Sequence, residues 1–398
     1  MRPLLWLLAL VGLAIAAPAA ATPLEEATAL YKSGDLKAAY EFAVGRLEAK
    51  DYDTAYRLLN RLGGTDSMAP AQMMMGRIFD QGLGVQQNFE RAFDWYNMAA
   101  FQGNAEAQEA LGSLYEEGRG VKKDLAAALQ WYGKAAGQRN AKAEERLGRL
   151  YYFGDGVGRD YVEAARWYRR SAEHGYAKAQ ERLAAIYRNG KEGISEDLEE
   201  AVRWYRRAAE AGNAQAQASL GEMYREGQGV AENMTTAKMW LTKGAEQGNA
   251  QAESALWQLY GAGQFTPEEA FDWNKRLAER GNARSQRTLA NLYATAKGVA
   301  LNYPAAAVWY RRAANQGDVE AQFNLAMLYK LGTGVAQDYG EAYKWFWLCS
   351  VGTPSAGPSD LDISGQARAE LRKIAIFVSP VQISEAKKHA REWKPTKQ

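Results

Sequence analysis

Tryptophan recurs along the chain as Trp95, Trp131, Trp167, Trp204, Trp240, Trp273, Trp309 and Trp345, in steps of 36, 36, 37, 36, 33, 36 and 36 residues. A period this regular describes a file of short units, none of which can bury its apolar face alone. It excludes an arrangement of separate globular domains over most of the 398 residues.

Each period reads as two helices. The first opens on Asn104, Asn140, Asn213, Asn249, Asn282 or Asp318, side chains able to accept from the free amides of a first turn. Ala107, Leu111, Gly112 and Tyr115 then fall on one stripe, as do Ala216, Leu220, Gly221 and Tyr224. Glycines such as Gly118 and Gly227 suit the left-handed turn past a helix end. The second helix opens at Asn88, Asp124, Asp160, Asp197, Asn233, Thr266, Asn302 or Asp338 and carries the Trp-Tyr pair. Thr266-Pro267-Glu268-Glu269 and Ser379-Pro380-Val381-Gln382 both spell a capping box with proline at the first helical position. Short connections make antiparallel neighbours, with Trp and Tyr filling the space between units.

From Ala201 to Val230 the chain follows A-x-x-W-Y-x-x-A-A-E-x-G-N-A-x-A-Q-x-x-L-G-x-x-Y-x-x-G-x-G-V with almost no departure. This pattern resembles the Sel-1-like repeat family, relatives of tetratricopeptide repeats, and extends over about 70–352. The resemblance implies a right-handed all-α superhelical solenoid that binds other proteins, frequently in bacterial envelopes or in host contact. Cysteine-rich members staple each repeat with a disulfide. Cys349 is the only cysteine here, so the chain resembles the uncrosslinked branch and packing alone must hold it.

The expected organisation is a signal peptide over 1–21, a tetratricopeptide-like N-terminal cap over 22–68, and a repeat array of about eight helix pairs over 69–352. Capping helices with a basic tail follow over 353–398. The leader has one positive charge at Arg2, an apolar run from Leu4 to about Ala17, and small residues before Thr22. The run is shorter than the roughly 20 residues that span a bilayer, so we expect export with cleavage, to the periplasm or beyond it, and no stable membrane span afterwards.

The fifth and sixth units depart from the pattern together. Trp257 replaces the small residue seen at Gly221 and Ala290, while the second aromatic of the pair becomes Leu241 and Asn274. Such an exchange predicts volume compensation and a local change of superhelix curvature over 240–275.

Reactive chemistry is sparse. Two histidines and one cysteine leave little for a metal site, and no cofactor is expected. His174 occupies a polar slot, shared with Gln102, Gln138, Gln247, Arg280 and Gln316, that reads as solvent-facing or helix-capping. Ser384-Glu385-Ala386-Lys387 matches S-x-x-K of penicillin-interactive enzymes, without the S-D-N or K-T-G that should accompany it. The recurring Gly-x-Gly lacks the strand and third glycine of a phosphate loop. Glu116-Glu117 and Glu199-Glu200 read as solvated helix charges. A formal charge of +2, from 49 Lys+Arg against 47 Asp+Glu, argues against a nucleic-acid partner.

We therefore expect no enzyme but a scaffold or adaptor of the cell envelope that takes a partner protein or peptide in its groove. A secreted host-interaction factor is the alternative, and an envelope enzyme or regulator of a peptidoglycan hydrolase the second alternative. Off the core stripe, three rows of first-helix positions should face that groove. The first runs Glu109, Glu145, Glu181, Ala218, Ser254, Arg287, Phe323, and the second Ser113, Arg149, Ala185, Glu222, Gln258, Asn291, Met327. The third runs Glu116, Tyr152, Arg188, Arg225, Gly261, Ala294, Lys330. Arginines and aromatics dominate binding surfaces, so Arg149, Tyr152, Arg188, Arg225, Phe323 and Met327 are the candidate partner contacts. Phe323 and Met327 have a second reading, as packing beneath the C-terminal cap.

Overall fold

The computed structural model describes residues 22–351 and 358–396; the leader expected over 1–21 lies outside the described residues. Among those residues the regular structure is helical, with one isolated bridge between Lys191 and Ile194. The chain divides into two compact units, residues 1–196 and 197–398.

The first unit contains α1 (Pro23–Lys32), α2 (Leu36–Glu48), α3 (Tyr52–Gly64), α4 (Ala69–Gln81) and α5 (Phe89–Phe101). It continues with α6 (Ala105–Glu117), α7 (Leu125–Gly137), α8 (Ala141–Phe153), α9 (Tyr161–Glu173) and α10 (Ala177–Asn189). The second unit contains α11 (Leu198–Glu210), α12 (Ala214–Glu226), α13 (Met234–Glu246), α14 (Ala250–Gly261), α15 (Pro267–Glu279) and α16 (Ala283–Thr295). Then come α17 (Tyr303–Asn315), α18 (Val319–Leu331), α19 (Tyr339–Val351), α20 (Pro358–Ile374), a 3-10 turn at Ala375–Phe377, and α21 (Pro380–Glu392).

Local chemistry fixes these boundaries. Asn104 accepts the Ala107 amide at 2.9 Å and Asp124 the Ala127 amide at 2.9 Å, and both capping boxes form at Thr266 and Ser379. Most helices run 13 residues, about 20 Å, so successive pairs match in length and pack along their whole faces.

Within a repeat, the aromatic ring of the second helix lies on the glycine of the first. A Cβ on Gly112 would stand 2.8 Å from the Tyr132 ring, and one on Gly148 2.7 Å from Tyr168. No side chain fits there, and the ring covers the bare backbone instead. Tyr96, Tyr132, Tyr168 and Tyr310 are buried, whereas Trp95, Trp131, Trp167 and Trp309 are only half-buried. These four tryptophans thus lie at the margin of the core, whereas Trp204, Trp240, Trp273 and Trp345 are buried. Trp131 and Trp309 carry a cation three residues on, Lys134 at 3.8 Å and Arg312 at 4.5 Å, each worth about 0.5–1 kcal/mol at exposed sites.

Consecutive helices pack closely within each unit except α14 with α15, and α20 with α21 across the 3-10 turn. Trp257 stands between those two. It meets the Trp273 ring at 4.7 Å and is almost wholly buried, while Asn274, where neighbours have an aromatic, is fully buried and donates to Ala270 O at 2.8 Å. The large Trp257 and the small Asn274 thus fall in the same repeat.

At the chain's end, Ala367, Leu371, Ile374, Val378 and Ala386 join a core with Leu325, Trp345 and Phe346. Thr396 N donates to Asn315 O at 3.0 Å, which returns the tail to α17.

Candidate functional site

A row of buried amides joins the repeats. Gln108 donates to Ala100 O of the preceding repeat at 3.1 Å, and its own oxygen accepts from Gln138 at 2.9 Å. The same pair recurs as Gln217 with Gln247 and as Gln286 with Gln316, each at 2.8 Å. His174 takes the Gln138 slot at the C-terminus of α9, with Nδ1 2.8 Å from Oε2 of Glu144, a fully buried carboxyl. A carboxylate cannot donate as an amide does. Arg170 does so in its place, donating to Ala136 O at 3.2 Å while its guanidinium lies 3.1 Å from Glu144. His174 is the C-cap residue of α9 and stays solvent-accessible, as its polar slot suggested, and its ring also closes a polar rung on Glu144.

The first-helix rows are less open than the sequence suggested. Glu109 and Glu145 are buried and bind cations of the following repeat, Lys142 at 2.8 Å and Arg182 at 3.0 Å. Ala218 is buried as well. Glu116 is no solvated charge either. It accepts from the Tyr132 phenol at 2.7 Å and pairs with Arg149, with Arg146 at 3.9 Å. Burial pushes the Tyr132 phenol far above its ordinary value, so it remains a donor. Glu200 likewise accepts from the Trp204 indole at 2.9 Å. These buried ions bind repeat to repeat, because an ion removed from water needs a charged partner nearby.

The six candidate contacts fall into separate places. In the first unit, Arg149 is tied to Glu116, while Tyr152, on the same helix α8, packs edge-on to Phe153 and Tyr161, both at 5.1 Å. Phe153, which sequence reasoning missed, is 54% exposed. Lys191 lies 6.0 Å from the Tyr152 ring, and Arg188 is half-buried on α10. In the second unit, Arg225 pairs along its own helix with Glu222 at 2.5 Å and Glu226 at 2.7 Å. Phe323 and Met327 are half-buried, one turn apart on α18, and Phe323 meets Phe346 edge-on at 5.4 Å. They belong to the C-terminal core cluster yet keep part of their surface open.

Lys330 of the third row reaches the cap: its Nζ is 2.5 Å from Glu370 Oε2, and Lys373 donates to the other oxygen at 2.6 Å. The two ammonium groups hold the Glu370 carboxyl below its ordinary value of 4.5. A depressed carboxyl stabilises the fold fully above its unfolded value, and that contribution fades as pH falls through the lower folded one. A carbon-13 titration of the Glu370 carboxyl should give a midpoint below 4.5 that climbs in Lys330→Ala. An unshifted midpoint would show that the link does not hold the cap.

Among the described residues no group of His, Cys, Asp and Glu could hold a metal ion, and no helix is long and apolar enough to cross a membrane. Ser384 is exposed, and Lys387, its S-x-x-K partner, sits over the Trp347 ring at 4.7 Å.

Helix pairs of uniform length, joined by recurring amide rungs and glycine-seated rings, define an α-helical repeat solenoid. The chain belongs to the Sel1 repeat family. Its model matches residues 69–104, 105–140, 141–176, 177–213, 214–249, 249–282, 283–318 and 319–346. Among solved structures, a protective antigen present in uropathogenic Escherichia coli strains, displaying an SLR fold, is 26% identical over 94% of both chains, with a TM-score of 0.51. A Sel1 repeat protein from Oxalobacter formigenes is 29% identical over 74% of this chain and 97% of its own, with a TM-score of 0.45. No curated protein matches the chain. Sel1 repeats generally mediate protein interactions.

Proposed function

We propose that the chain is a non-enzymatic interaction scaffold of the bacterial cell envelope, exported and periplasmic, which binds a partner protein or peptide on its first-helix faces. The observation that carries this reading is the half-exposed aromatic group of Tyr152, Phe153 and Tyr161 beside Lys191 in the first unit. Aromatic surface flanked by cations is the composition that concentrates binding energy. Most other first-helix charges are spent inside the seam, so this patch and the open sides of Phe323 and Met327 are what remains for a partner. The likeness to a protective antigen keeps a secreted, host-facing role as the second reading.

The test is a photo-crosslinking side chain placed at Phe153 or at Met327 in intact cells, with mass spectrometry of the adducts and fractionation of the cells. One discrete partner protein should appear in the periplasmic fraction, and Tyr152→Ala should reduce its adduct at Phe153 at least tenfold. A cytoplasmic chain would overturn the envelope role, and recovery from the medium alone would favour the secreted one. Indifference to Tyr152→Ala would remove the patch. Peptidoglycan hydrolysis lost in Ser384→Ala would make the chain an enzyme.

A further inference from the structure

One repeat lacks a clasp that the others share. In the loop between first and second helices, a second glycine usually lies against the start of the preceding repeat's second helix. A Cβ on Gly156 would stand 2.6 Å from Leu125 Cβ, on Gly229 2.8 Å from Leu198 Cβ, and on Gly334 2.7 Å from Tyr303 Cβ. The loop after α14 falls in the short 33-residue step and carries Phe265 where its neighbour has Gly229; its Gly263 matches Gly227, the first glycine. No second glycine is present to lie against the start of α13, and Gln264 O and Phe265 meet Lys238 of that helix instead.

Where the clasp is missing, a trough of about 290 Å³ opens between the second helices α13 and α15. Its walls repeat at helical spacing, Thr235, Met239 and Thr242 on one side and Glu269, Trp273 and Arg276 on the other, so it runs two turns, about 12 Å. Phe265 stacks on Trp273 at 5.2 Å and Met239 is 44% exposed, which makes the middle apolar. The ends differ. Near the start of α15, Lys238 is spent on Glu269 at 2.7 Å and Gln264 O at 3.0 Å, and Asp272 also faces the trough. Near the far end stand Lys243, over the Trp240 ring at 4.4 Å, and Arg276, whose nearest carboxylate, Glu246, is 3.6 Å away and beyond hydrogen-bond distance. Both cations keep N–H groups to offer.

We infer that this trough docks a linear segment of a partner protein that presents one bulky apolar side chain followed within two residues by Asp or Glu. The apolar side chain rests on Phe265, Met239 and Trp273, and the carboxylate accepts from Lys243 and Arg276. The volume is at the small end of ligand sites, about 300–1,000 Å³, which suits one side chain and excludes a large cofactor. Two turns of groove hold about three or four extended residues. A basic side chain in place of the acid would meet Lys243 and Arg276 and be rejected. This surface is on the second helices of the second unit and shares no residue with the first-helix patch proposed above.

The test is a random heptapeptide phage library panned against the full chain, followed by titration of the enriched synthetic peptide. Sequences with an aromatic or large aliphatic residue followed by an acid are expected. Lys243→Glu and Met239→Glu, both at the surface, should each weaken that peptide at least tenfold, while Tyr152→Ala leaves it unchanged. Replacing Ala262–Phe265 with the residues of Glu226–Glu232 restores the clasp and should abolish binding, with helicity by circular dichroism checking that this variant folds. Enrichment of basic peptides, of peptides without the pattern, or of none overturns the inference, as does binding indifferent to Lys243→Glu and Met239→Glu.

Discussion

Replacing Tyr132 with alanine removes about 3–5 kcal/mol of folding stability from the first unit, the range for large-to-small changes in a core. Tyr132 is wholly buried against Gly112, so its loss uncovers helix backbone and leaves a cavity that neither helix can fill. Trp131, beside it in sequence, is half-buried and should cost only about 1–2 kcal/mol as alanine. Tyr132→Phe retains the ring and loses the bond to Glu116, for about 1.5 kcal/mol, a charge-assisted hydrogen bond's share. Urea unfolding, with amide exchange across α6 and α7 to localise the loss, checks the order. An equal or greater loss from Trp131→Ala would show that the period marker is also the packing centre.

The second large effect concerns Trp257. Trp257→Gly alone should cost about 3–5 kcal/mol, because the side chain that spans the gap between α14 and α15 disappears. Asn274→Tyr alone forces a ring into a filled site and should cost about 1–3 kcal/mol. Together they rebuild the glycine-and-ring arrangement seen at Gly112 with Tyr132, and part of both penalties should return. A double-mutant cycle by denaturation is expected to show coupling of about 2 kcal/mol. Simple additivity would mean that the two positions do not share one space.

The period, the caps and the loop glycines were legible in the sequence because each is a local event within a few residues. Asn104 caps the helix that follows it wherever that helix ends up. The pairing of Trp257 with Asn274 was legible as a pattern break, since both depart from an otherwise constant text. The inter-repeat chemistry was not. Glu109, Glu116 and Glu145 look like ordinary helix charges until neighbouring repeats bring Lys142, Arg149 and Arg182 against them. Gln108 and Gln138 meet across 30 residues, which no local rule reports. Recurrence of glutamine at both slots was the available signal, and Glu144 with His174 and Glu253 with Arg280 would have stood out as charged exceptions. For the candidate contacts, residue type and row position were readable, but not which arginines would be consumed by the seam.

Cys349 has no exposed surface, and α20 lies against it, with Ser364 donating to its carbonyl at 2.8 Å. Its thiol is thereby shielded from oxidants, so the folded chain has no sulfur with which to form a covalent dimer. It is also an internal timer, because a thiol reagent can react only during the moments when α20 lifts away. The labelling rate of the unmodified protein then measures how often the end of the solenoid uncaps, with no engineered probe.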